Sequence, residues 1–88
     1  MIRLKTHIKP INEHTEIDRC LLIPKKLWDD FEAGDLNVKI DGKKITTRIY
    51  DVFCECVGPN HTHRILDLRE TWDDLGLKEN QVVEIEKC

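Results

Sequence analysis

Two segments of this chain carry the same short pattern, and this duplication limits the possible folds more than any other sequence feature. Residues 22–40 and 66–85 align with one residue of slippage, and both contain Trp-Asp-Asp followed by an apolar residue, at Trp28 and Trp72. Each copy has an apolar stretch before the tryptophan and a Val-x-Ile stretch after it. We therefore expect two equivalent halves, at about 1–42 and 43–88.

Both halves have the same predicted order of elements: strand, strand, short helix, strand. The residue patterns predict strands at 2–8, 17–23, 36–40, 44–57, 61–68 and 81–87. Short helices are predicted at 24–33 and 69–76, with Pro24 at a first helical position and a tryptophan beneath each helix as a core residue. Strands that close on themselves leave no open edge. The predicted fold is mainly β: a small closed six-stranded barrel with two short helices.

Length and charge narrow the classes of protein further. At 88 residues the chain is long enough for one domain, 1–88, and too short for two. No stretch has the pattern of a signal peptide or a membrane span, so we expect a cytoplasmic protein without a membrane partner. The net charge of −3 disfavours general binding to nucleic acid. The four cysteines are then expected to be free thiols or metal ligands before disulfides.

The first copy of the repeat resembles a known structural unit. Its sequence LLIPKKLWDDFEAGDLNVKI is similar to the strand, proline, short helix, Gly-Asp, strand unit of the cradle-loop barrels. These include the double-psi barrels, the riboflavin-kinase-like barrels and the swapped-hairpin DNA-binding domains. The second copy departs from the unit, with Asp67-Leu68-Arg69 at the place of the Ile-Pro-Lys of the first. The resemblance implies the barrel shape of the superfamily and no particular activity.

The stretch CECVGPNHTH, residues 54–63, contains half of the cysteines and half of the histidines. Residues two apart on a strand share a face, so the Cys-x-Cys pair forms one set and the His-x-His pair another. A type II′ turn at Gly58-Pro59 would place both sets on one face as a tetrahedral site. A three-residue loop would place the two pairs on opposite faces of the hairpin. A Pro59-Asn60 turn would keep them on one face but too far apart for one ion. The predicted zinc ligands are Cys54, Cys56, His61 and His63.

Several functions stay open at this level. We expect a non-enzymatic binding or interaction module, with a zinc ion as a structural staple and a protein as partner. The alternatives are a hydrolase with an open zinc position, in which Asp51, Glu55 or Asp67 would act as base, and a thiol enzyme based on the same hairpin. A further alternative is a DNA- or RNA-binding regulator that uses a basic face of the barrel. Its candidate residues are Lys43, Lys44, Arg48, Arg64 and Arg69.

Overall fold

The computed structural model describes residues 2–10, 16–54 and 61–88, and strands dominate them. The six strands are β1 (Ile2–His7), β2 (Cys20–Ile23), β3 (Gly34–Ile40), β4 (Lys43–Cys54), β5 (His61–Asp67) and β6 (Val82–Lys87). Every neighbouring pair is antiparallel, and the strands close into a barrel in the order β1-β2-β5-β4-β3-β6. The prediction of a mainly β, closed six-stranded barrel is confirmed.

The strand order has a symmetry of its own. It reads the same when β1, β2 and β3 are exchanged with β4, β5 and β6. A fold built from two equivalent halves must have this property. The duplication of the sequence and the membership of the cradle-loop superfamily remain predictions.

The barrel interior is filled mainly by apolar side chains, and β1 adds the buried polar residue Thr6. Leu21 on β2, Ile49 on β4 and Leu66 on β5 are neighbours in register and are almost fully buried. Val38, Ile40, Val83 and Ile85 complete the same cluster from β3 and β6. Each side chain of this size contributes about 1.5–3 kcal/mol when it leaves water. Because these side chains occupy the interior, ligand binding has to take place on the surface.

The two predicted helices are wrong. Between β2 and β3, the first connector (residues 24–33) has a single 3₁₀ turn, Lys25–Leu27, and Pro24 precedes it with an extended ψ of 145°. Between β5 and β6, the second connector (residues 68–81) has isolated turns, such as Leu75 N–H to Thr71 O at 2.9 Å. Short helices are marginal without a long hydrogen-bond ladder, and each Trp-Asp-Asp places two acids where a helix dipole disfavours them.

Left-handed residues mark where elements begin and end. Arg19 has a φ of 53° and immediately precedes β2, which starts three residues later than the sequence pattern predicts. Asp41 and Gly42 have φ values of 50° and 85° and form the tight turn between β3 and β4. Among the described residues no helix has the length and apolar character needed to cross a membrane.

Candidate functional site

The first connector is held against the barrel by one arginine. Arg64 on β5 forms a two-point ion pair with Asp51, its register partner on β4, at 2.7 and 3.2 Å. Its Nη1 also donates to the carbonyl oxygens of Trp28 at 3.2 Å and Phe31 at 3.1 Å. The guanidinium lies 4.5 Å from the centre of the Trp28 ring, and the Arg64 side chain is only 14% exposed. The hydrogen bond to Asp51 raises the pKa of Arg64 above its ordinary value.

Among the described residues no arginine binds the second connector from the barrel as Arg64 binds the first. The end of this connector is held by the buried Thr6 on β1, whose hydroxyl donates to the Lys78 carbonyl oxygen and accepts from the Gln81 N–H.

Trp72 is buried with an exposure of 5%, and Leu77 N–H donates to its carbonyl oxygen at 3.1 Å. Arg69 turns back to Asp67 at the end of β5, with Nε–Oδ1 and Nη2–Oδ2 distances of 3.1 and 2.8 Å. This hydrogen bonding raises the pKa of Arg69. The Thr71 hydroxyl oxygen is buried and has no hydrogen-bond partner among the described residues.

Beside the second connector lies an open cavity of about 270 Å³, which we call groove A. Strand β4 supplies one wall, the start of β3 and the end of β5 supply the sides, and the second connector supplies the rest. Thr47 fixes one corner, since its hydroxyl donates to the Asp67 carbonyl oxygen. The lining residues are Asp35, Thr46, Thr47, Arg48, Tyr50, Asp67, Glu70 and Thr71.

Groove A is acidic and rich in acceptors. Arg48 contacts Asp35, its register partner, at 3.5 Å and lies 5.5 Å from the centre of the Tyr50 ring. Asp67 is satisfied by Arg69. Glu70 has no cation beside it in the described part of the chain. The groove therefore keeps a surplus of negative charge after its internal pairs are formed.

A second open cavity, groove B, lies beside β1 and β2, whereas groove A lies beside β4 and β5. Its volume is about 310 Å³, and its lining is His7, Lys9, Pro10, Leu22, His63 and Glu79. Two histidines and a lysine face one carboxylate here, whereas three carboxylates face one arginine in groove A. The lining of groove A is thus the more acidic of the two.

The predicted zinc site lies only partly within the described residues. The backbone pairing of β4 with β5 joins Cys54 to His61 and Val52 to His63. This register is shifted by two residues from the one that a type II′ turn at Gly58-Pro59 would give. A shift of two keeps the alternation of faces, so Cys54, His61 and His63 occupy register positions on one face. Cys56 lies outside the described residues, as does Glu55, and the zinc site stays a prediction.

The five basic residues proposed for nucleic-acid binding lie on β4, on β5 and in the second connector, and their joint role stays a prediction. Arg64, Arg69 and Arg48 are each engaged with an aspartate. Lys43 and Lys44 begin β4, whereas Arg64 pairs with Asp51 seven residues further along that strand, about 23 Å away at ~3.3 Å per residue. The arrangement gives the nucleic-acid alternative no support.

The catalytic alternatives also find few suitable groups in the described residues. Asp51 and Asp67, two of the predicted bases, are each bound to an arginine at two points. Burial, with Asp67 and Asp18 adding to it, raises the pKa of the Cys20 thiol to about 11, so this thiol is neutral at physiological pH. Within residues 2–10, 16–54 and 61–88 no three His, Cys, Asp or Glu side chains are grouped to hold a metal ion.

Most of groove A was missed by sequence reasoning. Arg48 and Asp67 were noted for other roles, but Asp35, Tyr50, Glu70 and Thr71 were not identified as site residues. Alternation along β4 does place Arg48 and Tyr50 on one face. The pairing of Arg48 with Asp35, and the position of the second connector beside them, depend on strand register and barrel closure, which the pattern does not give.

Comparison with known proteins adds no assignment. This chain matches no family model, no curated protein and no solved structure. Function has to be argued from the chain's own residues.

Proposed function

We propose that this protein is a small cytoplasmic, non-enzymatic binding module whose ligand site is groove A. The observation that carries the proposal is the state of its polar groups: within residues 2–10, 16–54 and 61–88 the buried Thr71 hydroxyl has no hydrogen-bond partner and Glu70 has no cation beside it. A buried unpaired hydroxyl costs about 1–3 kcal/mol. A ligand that pairs with these groups would offset this cost, whereas the apolar interior offers nothing to bind.

A panel of small probes in thermal unfolding tests this function. The panel contains acetate, phosphate, methylguanidinium, butylammonium, methylurea and glucose, which cover anionic, cationic and neutral groups. A ligand of the folded state raises the unfolding midpoint by mass action. We expect at least one class to raise it for the wild type and not for the Glu70→Gln/Thr71→Val double variant.

The control variant is Glu79→Gln, which removes a carboxylate from groove B instead. It should respond to the probes as the wild type does. If no probe raises the midpoint of any protein, or if the double variant responds like the wild type, groove A is not a ligand site.

Zinc in the β4–β5 hairpin is a second and compatible proposal, favoured by the register that places Cys54, His61 and His63 on one face. There the ion would act as a structural staple, because metal affinity adds to folding stability. The test is the metal content of untagged protein purified without chelator, followed by unfolding with and without chelator. Stoichiometric zinc and a lower midpoint with chelator are expected. Protein free of zinc after purification from zinc-supplemented cells would contradict the proposal.

A further inference from the structure

Groove A already holds one guanidinium, and the way it does so indicates what else it can bind. Arg48 lies between the Asp35 carboxylate and the Tyr50 ring, at 3.5 Å from an oxygen of Asp35 and 5.5 Å from the ring centre. A carboxylate on one side and an aromatic face on the other is a favourable setting for a cation. The Arg48 side chain is 55% exposed, so this setting faces the open groove.

Two further polar residues of groove A have no cation beside them in the described part of the chain. Glu70 and Thr71 are adjacent in the second connector and both line the cavity. Within the described residues the Glu70 carboxylate and the Tyr50 hydroxyl make no hydrogen bond, and the buried Thr71 Oγ1 has none either. Arg69, the nearest other cation of this connector, is committed to Asp67. The Glu70 carboxylate only accepts hydrogen bonds and carries the negative charge, and the two hydroxyls accept as well as donate, so a donor with a positive charge matches the carboxylate.

We infer that groove A binds a cationic nitrogen group, a guanidinium or a primary ammonium, with Glu70 as its principal partner. This inference rests on the proposed function and specifies its ligand. Glu70 supplies the opposite charge, the exposed part of the groove adds the Tyr50 hydroxyl as an acceptor, and Asp35 is already paired with Arg48. The group can belong to a free amine or to the lysine or arginine side chain of a protein, since an open cavity of about 270 Å³ admits either.

Calorimetric titration of the full chain with isosteric probes tests the inference. Methylguanidinium and methylurea have nearly the same shape and differ in charge, and butylammonium tests the ammonium form. We expect the two cations to bind with dissociation constants of ~1–10 mM, and methylurea to bind at least ~5-fold more weakly. Raising the salt from low to physiological concentration should weaken the binding of the cations and leave the binding of methylurea unchanged.

Single substitutions in the two grooves show which groove binds the cation. Glu70→Gln should weaken methylguanidinium at least ~5-fold, since it removes the charge and keeps the shape. Glu79→Gln, the matched change in groove B, should leave the dissociation constant within ~1.5-fold of the wild type. Capped Gly-Arg-Gly and Gly-Lys-Gly peptides, set against spermidine, distinguish the source of the group. Tighter binding of the peptides assigns a protein partner, and tighter binding of spermidine assigns a free amine.

The outcomes separate this inference from the proposed function. If methylurea, acetate or glucose binds in groove A and the cations do not, the ligand class is wrong and the binding site stands. If the cations bind equally well to Glu70→Gln, the assignment of Glu70 is overturned. If no probe binds to the wild type, both the inference and the proposed function fail.

Discussion

The two connectors carry the same Trp-Asp-Asp sequence, but their contacts with the barrel differ. In the first connector, Arg64 stacks on the tryptophan, pairs with Asp51 and bonds two carbonyl oxygens. In the second, the tryptophan is buried more deeply, and a neighbouring hydroxyl and carboxylate have no partner in the described residues. Arg64 binds two backbone carbonyl oxygens of the first connector, whereas in the second connector Glu70 and Thr71 line groove A without a partner among the described residues.

The difference shows where stability and binding are expected to reside. A connector whose backbone is bound by a barrel side chain depends on that contact for its position, so the residues of the contact should matter for folding. A connector that leaves acceptors unmet gives up some stability and keeps groups available for recognition. Mutations in the two connectors should therefore separate into those that unfold the chain and those that change what it binds.

The largest effect is expected from the buried tryptophan of the second connector. Trp72→Ala should lower the free energy of unfolding by about 3–5 kcal/mol, because it leaves a cavity in the core. Trp28→Ala should cost less, since Trp28 is only partly buried and packs at the edge of the core. Urea unfolding at equilibrium measures both. Equal losses would contradict the different burial of the two rings.

Arg64→Ala should follow, with a loss of about 2–4 kcal/mol. The change leaves Asp51 without its cation and two carbonyl oxygens of the first connector without a donor. Arg69→Ala is the matched change in the second connector and should cost less, about 1–2 kcal/mol, since the Arg69 side chain is 38% exposed and the Asp67 carboxylate, although only 15% exposed, keeps the backbone N–H of residue 69 as a donor. Urea unfolding of the two variants should separate them clearly. A larger loss for Arg69→Ala would reverse the roles that we assign to the two arginines.

Cys20 on β2 is the register partner of Asp67, which ends β5 just before the second connector. Alkaline pH tests this region through ionisation of the Cys20 thiol. The folded pKa of about 11 lies above the ordinary thiol value, so the folded state keeps its proton while the unfolded chain loses it. The protonated thiol contributes its full stabilisation below about pH 8.5. The free energy of unfolding should then fall by about 2 kcal/mol as the pH rises toward 11. The difference in unfolding free energy between the wild type and Cys20→Ala isolates this dependence. A difference that does not change over this range would show that the thiol ionises without penalty.

The smallest effects are expected from two threonines that line groove A. Thr47→Val removes a hydroxyl that donates to Asp67 and should cost about 1 kcal/mol. Thr71→Val removes a hydroxyl that has no partner among the described residues, and it should be neutral or stabilising by up to about 1 kcal/mol. Thermal and urea unfolding of the pair provide the check. A clear loss in Thr71→Val would mean that its hydroxyl is satisfied in solution.

The barrel was predictable from the sequence because its signals are local. Alternation located β1, the Asp41-Gly42 turn located the β3–β4 hairpin, and the repeated pattern gave the number of strands. The helices were wrong because Pro24 and each Trp-Asp-Asp also suit short turns, and the tertiary packing of Trp28 under Arg64 determines which one forms. Arg64 was assigned to a basic face because its partner Asp51 is distant in sequence and is adjacent only through the β4–β5 register.

The most direct test of the account is a nitrogen-15 NMR titration of the full chain with methylguanidinium. It follows the backbone amides of Thr47 and Thr71 beside groove A and, in the first connector, the indole N–H of Trp28, which donates to the Ile23 carbonyl oxygen at the end of β2. We predict saturable shifts at the two threonines, their loss in Glu70→Gln and no shift at Trp28. Shifts at the first connector alone, or uniform shifts that do not saturate, would contradict the assignment of groove A as the binding site.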